Sequence, residues 1–271
     1  MKARVAAIQM VSAPEVETNL AAAGRLIAQA ASEGAQLVAL PEYFCILGRH
    51  ETDKVKVREK DASTPGGGGP IQSFLSEAAA RNKVWLVGGT IPVECDDPAR
   101  VRSACLVFDA GGRRVARYDK IHLFGFDNGT ERYEENRSIS AGSQPVAFDS
   151  PFGKIGLSIC YDLRFPELYR SLAPVDLIFV PAAFTAVTGE AHWEPLLRAR
   201  AIESLAHVIA PAQGGLHANG RKTHGHSMVI DPWGRILAER PAGEGIVMAE
   251  VDPAVTARCR EMLPALQHRV L

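Results

Sequence analysis

Three side chains in this sequence of 271 residues have types that could carry out nucleophilic catalysis together. Glu42, Lys120 and Cys160 each come shortly after an apolar or strand-like run. Because the functional groups of α/β proteins gather where strands end, we expect these three side chains to lie close together. A cysteine attacks as its thiolate, which the cation of Lys120 would favour, and Glu42 could accept the thiol proton. The pattern therefore predicts a cysteine nucleophile with an acid-base partner.

The stretches around these residues form recognisable motifs. They are Leu40-Pro-Glu42, Tyr118-Asp-Lys-Ile-His-Leu-Phe124, Ile159-Cys-Tyr-Asp-Leu-Arg-Phe-Pro-Glu167 and Pro181-Ala-Ala-Phe-Thr185. In order and spacing they resemble the signatures of the nitrilase superfamily of carbon-nitrogen hydrolases. The similarity continues as far as Asp231-Pro-Trp-Gly234, so it covers essentially the whole chain.

The resemblance implies roles for four residues. Cys160 matches the family's nucleophile, Glu42 matches its general base, and Lys120 matches the lysine that stabilises the oxyanion. The family's second glutamate lies seven residues before a glycine, which selects Glu135 in this sequence. The neighbouring Glu134 stays open as the alternative.

The reaction that the resemblance implies proceeds through a thioester. Cys160 would attack the amide carbon while Glu42 accepts the thiol proton, and Lys120 with the backbone N–H of Tyr161 would hold the developing oxyanion. Glu42 would then protonate the departing ammonia and activate the water that releases the acid. Glu135 would orient Lys120 rather than act as the primary base.

The tract from Ala182 to Glu194, with Arg198-Ala-Arg200 and His224-Gly-His-Ser227, most resembles the branch of the family that hydrolyses deaminated glutathione. This implies a metabolite-repair amidase acting on the primary amide of a small carboxylate-bearing compound. An ω-amidase acting on 2-oxoglutaramate is the first alternative, and other amides, nitriles and N-carbamoyl compounds would use the same three catalytic side chains. A non-catalytic binding subunit is the alternative of a different class, and the intact catalytic residues argue against it.

Substrate contacts are expected near the nucleophile. Arg164 could bind a substrate carboxylate through its forked guanidinium, or it could form a structural ion pair with a carboxylate such as Glu167. Phe184 and Thr188 would supply an apolar wall and a hydroxyl group. The segment Gly125–Tyr133 departs from the family pattern, so the resemblance alone does not fix the substrate.

Two other kinds of chemistry are open on the residues alone. A histidine could serve as the base, since the chain has eight, but no cysteine-protease signature surrounds Cys160. His224 and His226 have the spacing of metal ligands on one strand face, without a converging carboxylate. We therefore expect no metal and no cofactor.

Composition and charge narrow the class of partner. Lysine plus arginine (30) nearly balance aspartate plus glutamate (31), so no basic field would attract nucleic acid or an anionic membrane. No apolar stretch approaches the roughly 20 residues that a membrane helix needs. We expect the partners to be a small amide substrate and water. Five cysteines without a C-x-x-C pair indicate a reducing cytoplasm.

Apolar strand-like runs alternate with helical stretches, which predicts an α/β fold. The predicted strands include Val5–Met10, Gln36–Leu40, Val84–Gly89, Ile155–Ile159, Asp176–Val180 and His207–Pro211, and the predicted helices include Val16–Ser32, Ile71–Asn82, Pro166–Leu172 and Trp193–Leu205. Continuous apolar strands must be covered on both faces. We therefore expect an α-β-β-α sandwich, with two packed mixed sheets and helices outside. The glycine run Pro65–Pro70 is expected to be a flexible surface loop.

The chain is expected to form a single domain over residues 1–271. Its C-terminal segment, from about residue 253 to 271, resembles the part of the family that reaches across a subunit interface. A homodimer or a larger homo-oligomer is therefore expected.

Overall fold

Two mixed β-sheets form the centre of the computed structural model, which describes residues 1–270. The first sheet contains β1 (Ala3–Gln9), β2 (Leu37–Ala39), β3 (Trp85–Val87), β4 (Ile91–Glu94), β5 (Val101–Phe108), β6 (Arg114–Asp119) and β15 (Gly245–Val251). The second sheet contains β9 (Val146–Ser150), β10 (Gly153–Leu157), β11 (Leu177–Phe179), β12 (His207–Ala210), β13 (Ser227–Ile230) and β14 (Ile236–Arg240). A separate hairpin consists of β7 (Gly125–Asp127) and β8 (Arg132–Glu134).

Six α-helices occur in the described residues. They are α1 (Val16–Ser32), α2 (Asp53–Lys56), α3 (Pro70–Asn82), α4 (Pro166–Leu172), α5 (Ala186–Ser204) and α6 (Pro253–Met262), and 3₁₀ turns span Glu135–Arg137 and Cys160–Arg164. Within residues 1–270, no helix has both the length and the apolar character needed to cross a membrane.

The pleat of β1 explains how the layers are divided. Val5 and Ala7 belong to a buried cluster that includes Leu177 of the second sheet, whereas Ile8 belongs to another that includes Leu26 of α1. Because successive side chains of a strand point to opposite faces, the first sheet packs on the second sheet with one face and on helices with the other. Helices α4 and α5 contribute to the cluster around the second sheet. The predicted sandwich of two mixed sheets with helices outside is confirmed.

Parallel strands bring the site-bearing loops to the carboxyl edges of the sheets. In the first sheet β1, β2 and β3 run parallel, and in the second sheet β10, β11 and β12 do so. Glu42 follows β2 and Cys160 follows β10, while Lys120 follows β6, which pairs antiparallel with β5. The three predicted catalytic residues therefore come from three strands of two sheets.

Helix α5 is longer than the sequence pattern predicts. It begins at Ala186 rather than near Trp193, because the Thr185 side chain accepts a hydrogen bond from the Thr188 N–H and caps the first turn. Pro195 lies inside the helix. Pro195 falls within the predicted part of the helix, whereas the missed part, residues 186–192, contains Thr188 and Gly189, whose low helix propensity hides it in the sequence.

The edges of the second sheet were also missed by sequence analysis. Strands β9 and β14 form these edges, and their residues are half-buried or exposed, so they lack the continuous apolar run that marks a buried strand. The run Pro65–Pro70 is a surface loop, as expected. It leads into α3, whose first N–H groups, those of Ile71 and Gln72, donate to the buried Glu59 carboxylate.

The two sheets share one buried cluster, which supports the prediction of a single domain. That prediction remains a proposal. The C-terminal segment starts with α6 and continues without a further helix or strand to Val270. The last residue of the predicted range, Leu271, lies outside the described residues.

Candidate active site

Cys160 occupies a tight turn between β10 and α4. Its backbone φ is +48°, a left-handed conformation that costs free energy for a residue with a Cβ atom. The Cys160 N–H donates to the Pro181 carbonyl (2.9 Å), and the preceding Ile159 N–H donates to the Asp162 carboxylate (2.9 Å). These hydrogen bonds stabilise the strained turn. The cysteine is only 7% exposed, so its thiol is largely shielded from water.

Lys120 lies between two carboxylates and is fully buried. Its Nζ lies 2.7 Å from Glu42 Oε1, and 2.9 Å and 2.8 Å from Glu135 Oε1 and Oε2. Both glutamates are buried as well. When all three groups are ionised, the cluster carries one net negative charge, which resists the formation of a second negative charge beside it.

Of the two candidate second glutamates, Glu135 is the one beside Lys120. The Tyr43 hydroxyl donates to its Oε1 (2.6 Å), and the Phe124 N–H donates to its Oε2 (2.7 Å). Glu134 instead pairs with Arg132 at the surface, with an N–O distance of 2.9 Å. The hydrogen bonds fix Glu135 as a positioned partner of the lysine.

The electrostatics of the cluster keep the thiol protonated at rest. Burial raises the pKa of Cys160, the charge of Glu42 raises it further, and Lys120 offsets these effects only in part, so the pKa lies well above its usual value. Lys120 thus favours the thiolate, as expected, but burial and the charge of Glu42 have the larger effect on the pKa of Cys160.

Glu42 is suited to receive the thiol proton. Burial raises its pKa, Lys120 lowers it and Glu135 raises it, and the net pKa lies above the usual glutamate value. The Cys160 thiol is close enough to lower this pKa somewhat. Glu42 Oε2 is buried and has no hydrogen-bond partner among residues 1–270. A carboxylate with a raised pKa and a free oxygen can act as a base and then as an acid.

Sequence analysis missed Asp162, which joins the turn of Cys160 to the strand that leads to Lys120. The residue is fully buried. Its Oδ2 accepts hydrogen bonds from the Ile159 N–H (2.9 Å) and the Tyr118 hydroxyl (2.7 Å), and its Oδ1 accepts from the His122 N–H (2.9 Å) and lies 2.7 Å from His122 Nδ1. Tyr118 and His122 flank the lysine, and Ile159 precedes the cysteine, so one carboxylate couples their positions. An aspartate among apolar residues two positions after the nucleophile was the available signal.

A narrow pocket lies beside Cys160. Its lining residues are Phe124, Cys160, Tyr161, Arg164, Ala183, Phe184, Thr185 and Thr188. They include Arg164, Phe184 and Thr188, which the sequence predicts to contact the substrate, and Tyr161, whose backbone N–H is predicted to hold the oxyanion. The cavity volume of about 10 Å³ holds about one water molecule. A substrate can enter only when lining side chains move.

Arg164 brings a positive charge to this pocket without an acidic partner. Its guanidinium forms no ion pair within residues 1–270, so the structural alternative, an ion pair with Glu167, is not formed. Arg164 Nη1 lies 3.3 Å from His192 Nδ1, and the guanidinium lies 5.7 Å and 5.4 Å from the ring centres of Tyr161 and Phe184. The arginine is therefore available to a ligand carboxylate.

The histidines considered as alternatives have other partners. His122 pairs with Asp162 rather than with the nucleophile, and His224 stacks on His226 with ring centres 4.3 Å apart. In the part of the chain that the structure describes, no group of three or more His, Cys, Asp or Glu side chains could hold a metal ion.

Comparison with known proteins defines the class of this chain. The model of the carbon-nitrogen hydrolase family matches residues 4–261, so the chain belongs to that family. It is a hydrolase of carbon-nitrogen bonds that acts on a small amide substrate with water. The family predicted from the sequence is confirmed.

Individual relatives match this chain over nearly its whole length. The deaminated glutathione amidase of Synechocystis sp. (strain PCC 6803 / GT-S) is 44% identical over 98% of this chain and 97% of its own length. The deaminated glutathione amidase of Homo sapiens is 35% identical over 98% of this chain and 81% of its own length. The crystal structure of Saccharomyces cerevisiae Nit3, a member of branch 10 of the nitrilase superfamily, has a TM-score of 0.88 and 32% identity, covering 99% of this chain and 97% of that chain.

Asp162→Asn should lower both stability and turnover. The NH2 of the new amide group would face groups that now donate hydrogen bonds to the carboxylate. A buried donor left unsatisfied costs about 1–3 kcal/mol. The amide group would leave unsatisfied the two donors that now bind one of the carboxylate oxygens. We therefore expect the free energy of unfolding to fall by on the order of 3 kcal/mol, and we expect kcat to fall in the molecules that remain folded. Denaturant unfolding and steady-state kinetics measure the two effects. Asp149→Asn, at an exposed position, is the matched control; wild-type kcat in the Asp162 variant would contradict the role described.

Proposed function

We propose that this chain hydrolyses deaminated glutathione by covalent catalysis at Cys160. The observation that carries the proposal is the buried cluster in which Glu42, Lys120 and Glu135 lie beside a protonated thiol. The activity named for the relatives supports the choice of substrate.

Each charged group of the cluster has one task in the proposed reaction. Cys160 attacks the acyl carbon and passes its proton to Glu42, and Lys120 with the Tyr161 N–H donates hydrogen bonds to the oxygen of the tetrahedral intermediate. Glu42 returns the proton to the leaving amine, which leaves a thioester on Cys160. Glu42 then deprotonates the water that releases the carboxylic acid. The hydrogen bonds between Glu135 and Lys120 hold the ammonium in place throughout.

The leaving group on the proposed substrate is an amine. Glutathione is joined by secondary amides, so cleavage of its deaminated form releases a peptide amine and not ammonia. The expected primary amide therefore fits 2-oxoglutaramate and not deaminated glutathione. Both compounds place the same 2-oxo acid on the cysteine, so the two activities differ only in the leaving group and share the product 2-oxoglutarate.

Arg164 is proposed to bind the carboxylate of the acyl half. Its guanidinium lines the pocket beside Cys160 and forms no ion pair in residues 1–270. A guanidinium binds a carboxylate through two parallel hydrogen bonds, which fixes orientation as well as position. Phe184 and Thr188 complete this side of the pocket as an apolar wall and a hydroxyl group.

We also propose that the protein is a homodimer or a larger homo-oligomer in a reducing cytoplasm. In the C-terminal segment Met262 is 69% exposed and Leu263 is 44% exposed, and apolar side chains exposed together favour association. The five cysteines are all free thiols, which suits a reducing compartment.

Purified protein should form 2-oxoglutarate from deaminated glutathione with a higher kcat/KM than from 2-oxoglutaramate. Cys160→Ala should lose both activities because no thioester can form. Cys95→Ala, which changes a half-buried thiol outside the pocket, is the matched control and should keep wild-type activity.

The outcomes separate the substrate from the mechanism. A preference for 2-oxoglutaramate would identify an ω-amidase, and inactivity towards both compounds would overturn the proposed substrate. Turnover that persists in Cys160→Ala would contradict covalent catalysis at this residue.

Glu135→Gln should move the acid limb of the kcat/KM profile to lower pH. The reaction needs ionised Glu42, so kcat/KM falls as the pH drops through the pKa of Glu42, which lies above 4.5. The charge of Glu135 raises that pKa, and its removal should lower it. Glu134→Gln, at the neighbouring surface position, should leave the acid limb where it is. An unchanged limb in Glu135→Gln would contradict the electrostatic coupling.

A further inference from the structure

Arg221 is a second arginine near the nucleophile that forms no ion pair in residues 1–270. It lies in the loop between β12 and β13. Its Nη2 donates to the Ala183 carbonyl (2.6 Å), and its guanidinium lies 4.9 Å from the centre of the Tyr133 ring. Its Nε is buried and has no hydrogen-bond partner within the described part of the chain. Charged groups out of water normally have their donors satisfied, so this arginine has unused binding capacity.

The contacts of Arg221 place it directly behind residues that line the active-site pocket. Ala183, whose carbonyl it contacts, lines the pocket, and the Ala183 N–H stabilises the thiolate form of Cys160. Tyr133, on which the guanidinium stacks, packs on Phe124 of the same pocket with ring centres 5.6 Å apart. Arg221 is therefore connected to the pocket in two ways, through Ala183 directly and through Tyr133, which packs on Phe124.

The charge of Arg221 lies on the side of the catalytic base. Burial lowers the pKa of its guanidinium, but neighbouring groups that include Tyr43 and Glu42 raise it above its usual value. Arg221 and Tyr43, the residue after Glu42, line the same cavity, which places the arginine on this side of the site. Glu42 must reach the leaving nitrogen to protonate it, so a cation on this side is near the amine half of the substrate. Arg164 has a different neighbour, the ring of Tyr161.

The loop that carries Arg221 is fixed by its own hydrogen bonds. The Arg221 N–H donates to Asn219 Oδ1 (2.9 Å), and the Arg221 carbonyl accepts from the His217 N–H (2.9 Å). Asn219 Nδ2 in turn donates to the Gly48 carbonyl (2.8 Å). A guanidinium on a fixed loop loses less conformational entropy when it binds a ligand than one on a mobile loop.

We propose that Arg221 binds a carboxylate carried by the amine half of the substrate. This inference rests on the proposed function, because it assigns a role in the same site. The substrate class is then an amide between a carboxylate-bearing acyl group, held by Arg164, and an amino acid or short peptide with a free C-terminus. Primary amides lack the second carboxylate, so Arg221 determines specificity for the leaving group.

The test compares two substrates that differ only in that carboxylate. They are deaminated glutathione and the same compound with its C-terminal carboxylate converted to a carboxamide, and the readout is the ratio of their kcat/KM values. A charge-assisted hydrogen bond contributes about 1.5–3 kcal/mol, so the wild type should prefer the acid by about 10- to 100-fold. Arg221→Gln should bring the ratio close to one, mainly through KM for the acid. Arg221→Lys, which keeps the charge, should retain part of the preference.

The controls separate this inference from a structural role and from the proposed function. Arg81→Gln makes the same chemical change on the exposed face of α3 and should keep the wild-type ratio. Because the ratio is taken within one variant, partial unfolding does not alter it. A wild-type preference that persists in Arg221→Gln, or a wild type that does not distinguish acid from carboxamide, would overturn the inference while leaving the amidase function intact. A wild type that hydrolyses neither compound would overturn the proposed function, and the inference would fall with it.

Discussion

The buried ammonium of Lys120, held between the carboxylates of Glu42 and Glu135, is the interaction on which the rest of the site depends. None of the three charges is stable alone in a dry interior, because the cost of removing an ion from water exceeds what a single partner returns. Together they leave one excess negative charge next to Cys160. Burial, together with the charge of Glu42, holds the pKa of Cys160 well above its usual value, and burial also raises the pKa of Glu42. In the proposed reaction the same surroundings therefore set the resting state and favour transfer of the thiol proton to Glu42.

Such a cluster functions only if its members are held within fractions of an ångström, and the fold supplies this from two sheets. Glu42 follows a strand of the first sheet, Cys160 follows a strand of the second, and Lys120 follows the antiparallel strand β6. The Asp162 carboxylate accepts hydrogen bonds from residues that flank the lysine and from the residue before the cysteine. Cys160 keeps its left-handed φ, which costs free energy, because these hydrogen bonds stabilise the turn.

Sequence reasoning was most informative where one local pattern encodes one feature. The residues predicted to be catalytic follow strand-like runs and lie together in the fold, Glu135 rather than Glu134 is the glutamate beside Lys120, and the periodicity of Val16–Ser32 gave α1 with its observed bounds. It failed where a role depends on contacts between distant segments. The sequence around Asp162 and Arg221 does not distinguish them from an ordinary aspartate and a loop arginine. Only the fold brings Asp162 to Tyr118 and Arg221 to Ala183. The edge strands and the start of α5, which contains Thr188 and Gly189, were missed because their local patterns contradict the elements they form.

The ionisation of the Cys160 thiol is the measurement that tests this account most directly. The difference in ultraviolet absorption between the wild type and Cys160→Ser, followed as a function of pH, isolates the thiolate of this residue from those of the other four cysteines. The account predicts no thiolate at neutral pH and ionisation only above the ordinary cysteine pKa of 9.0. A thiolate already formed at neutral pH would mean that Lys120 outweighs burial and Glu42, and it would contradict the proposed transfer of the proton to Glu42 during attack.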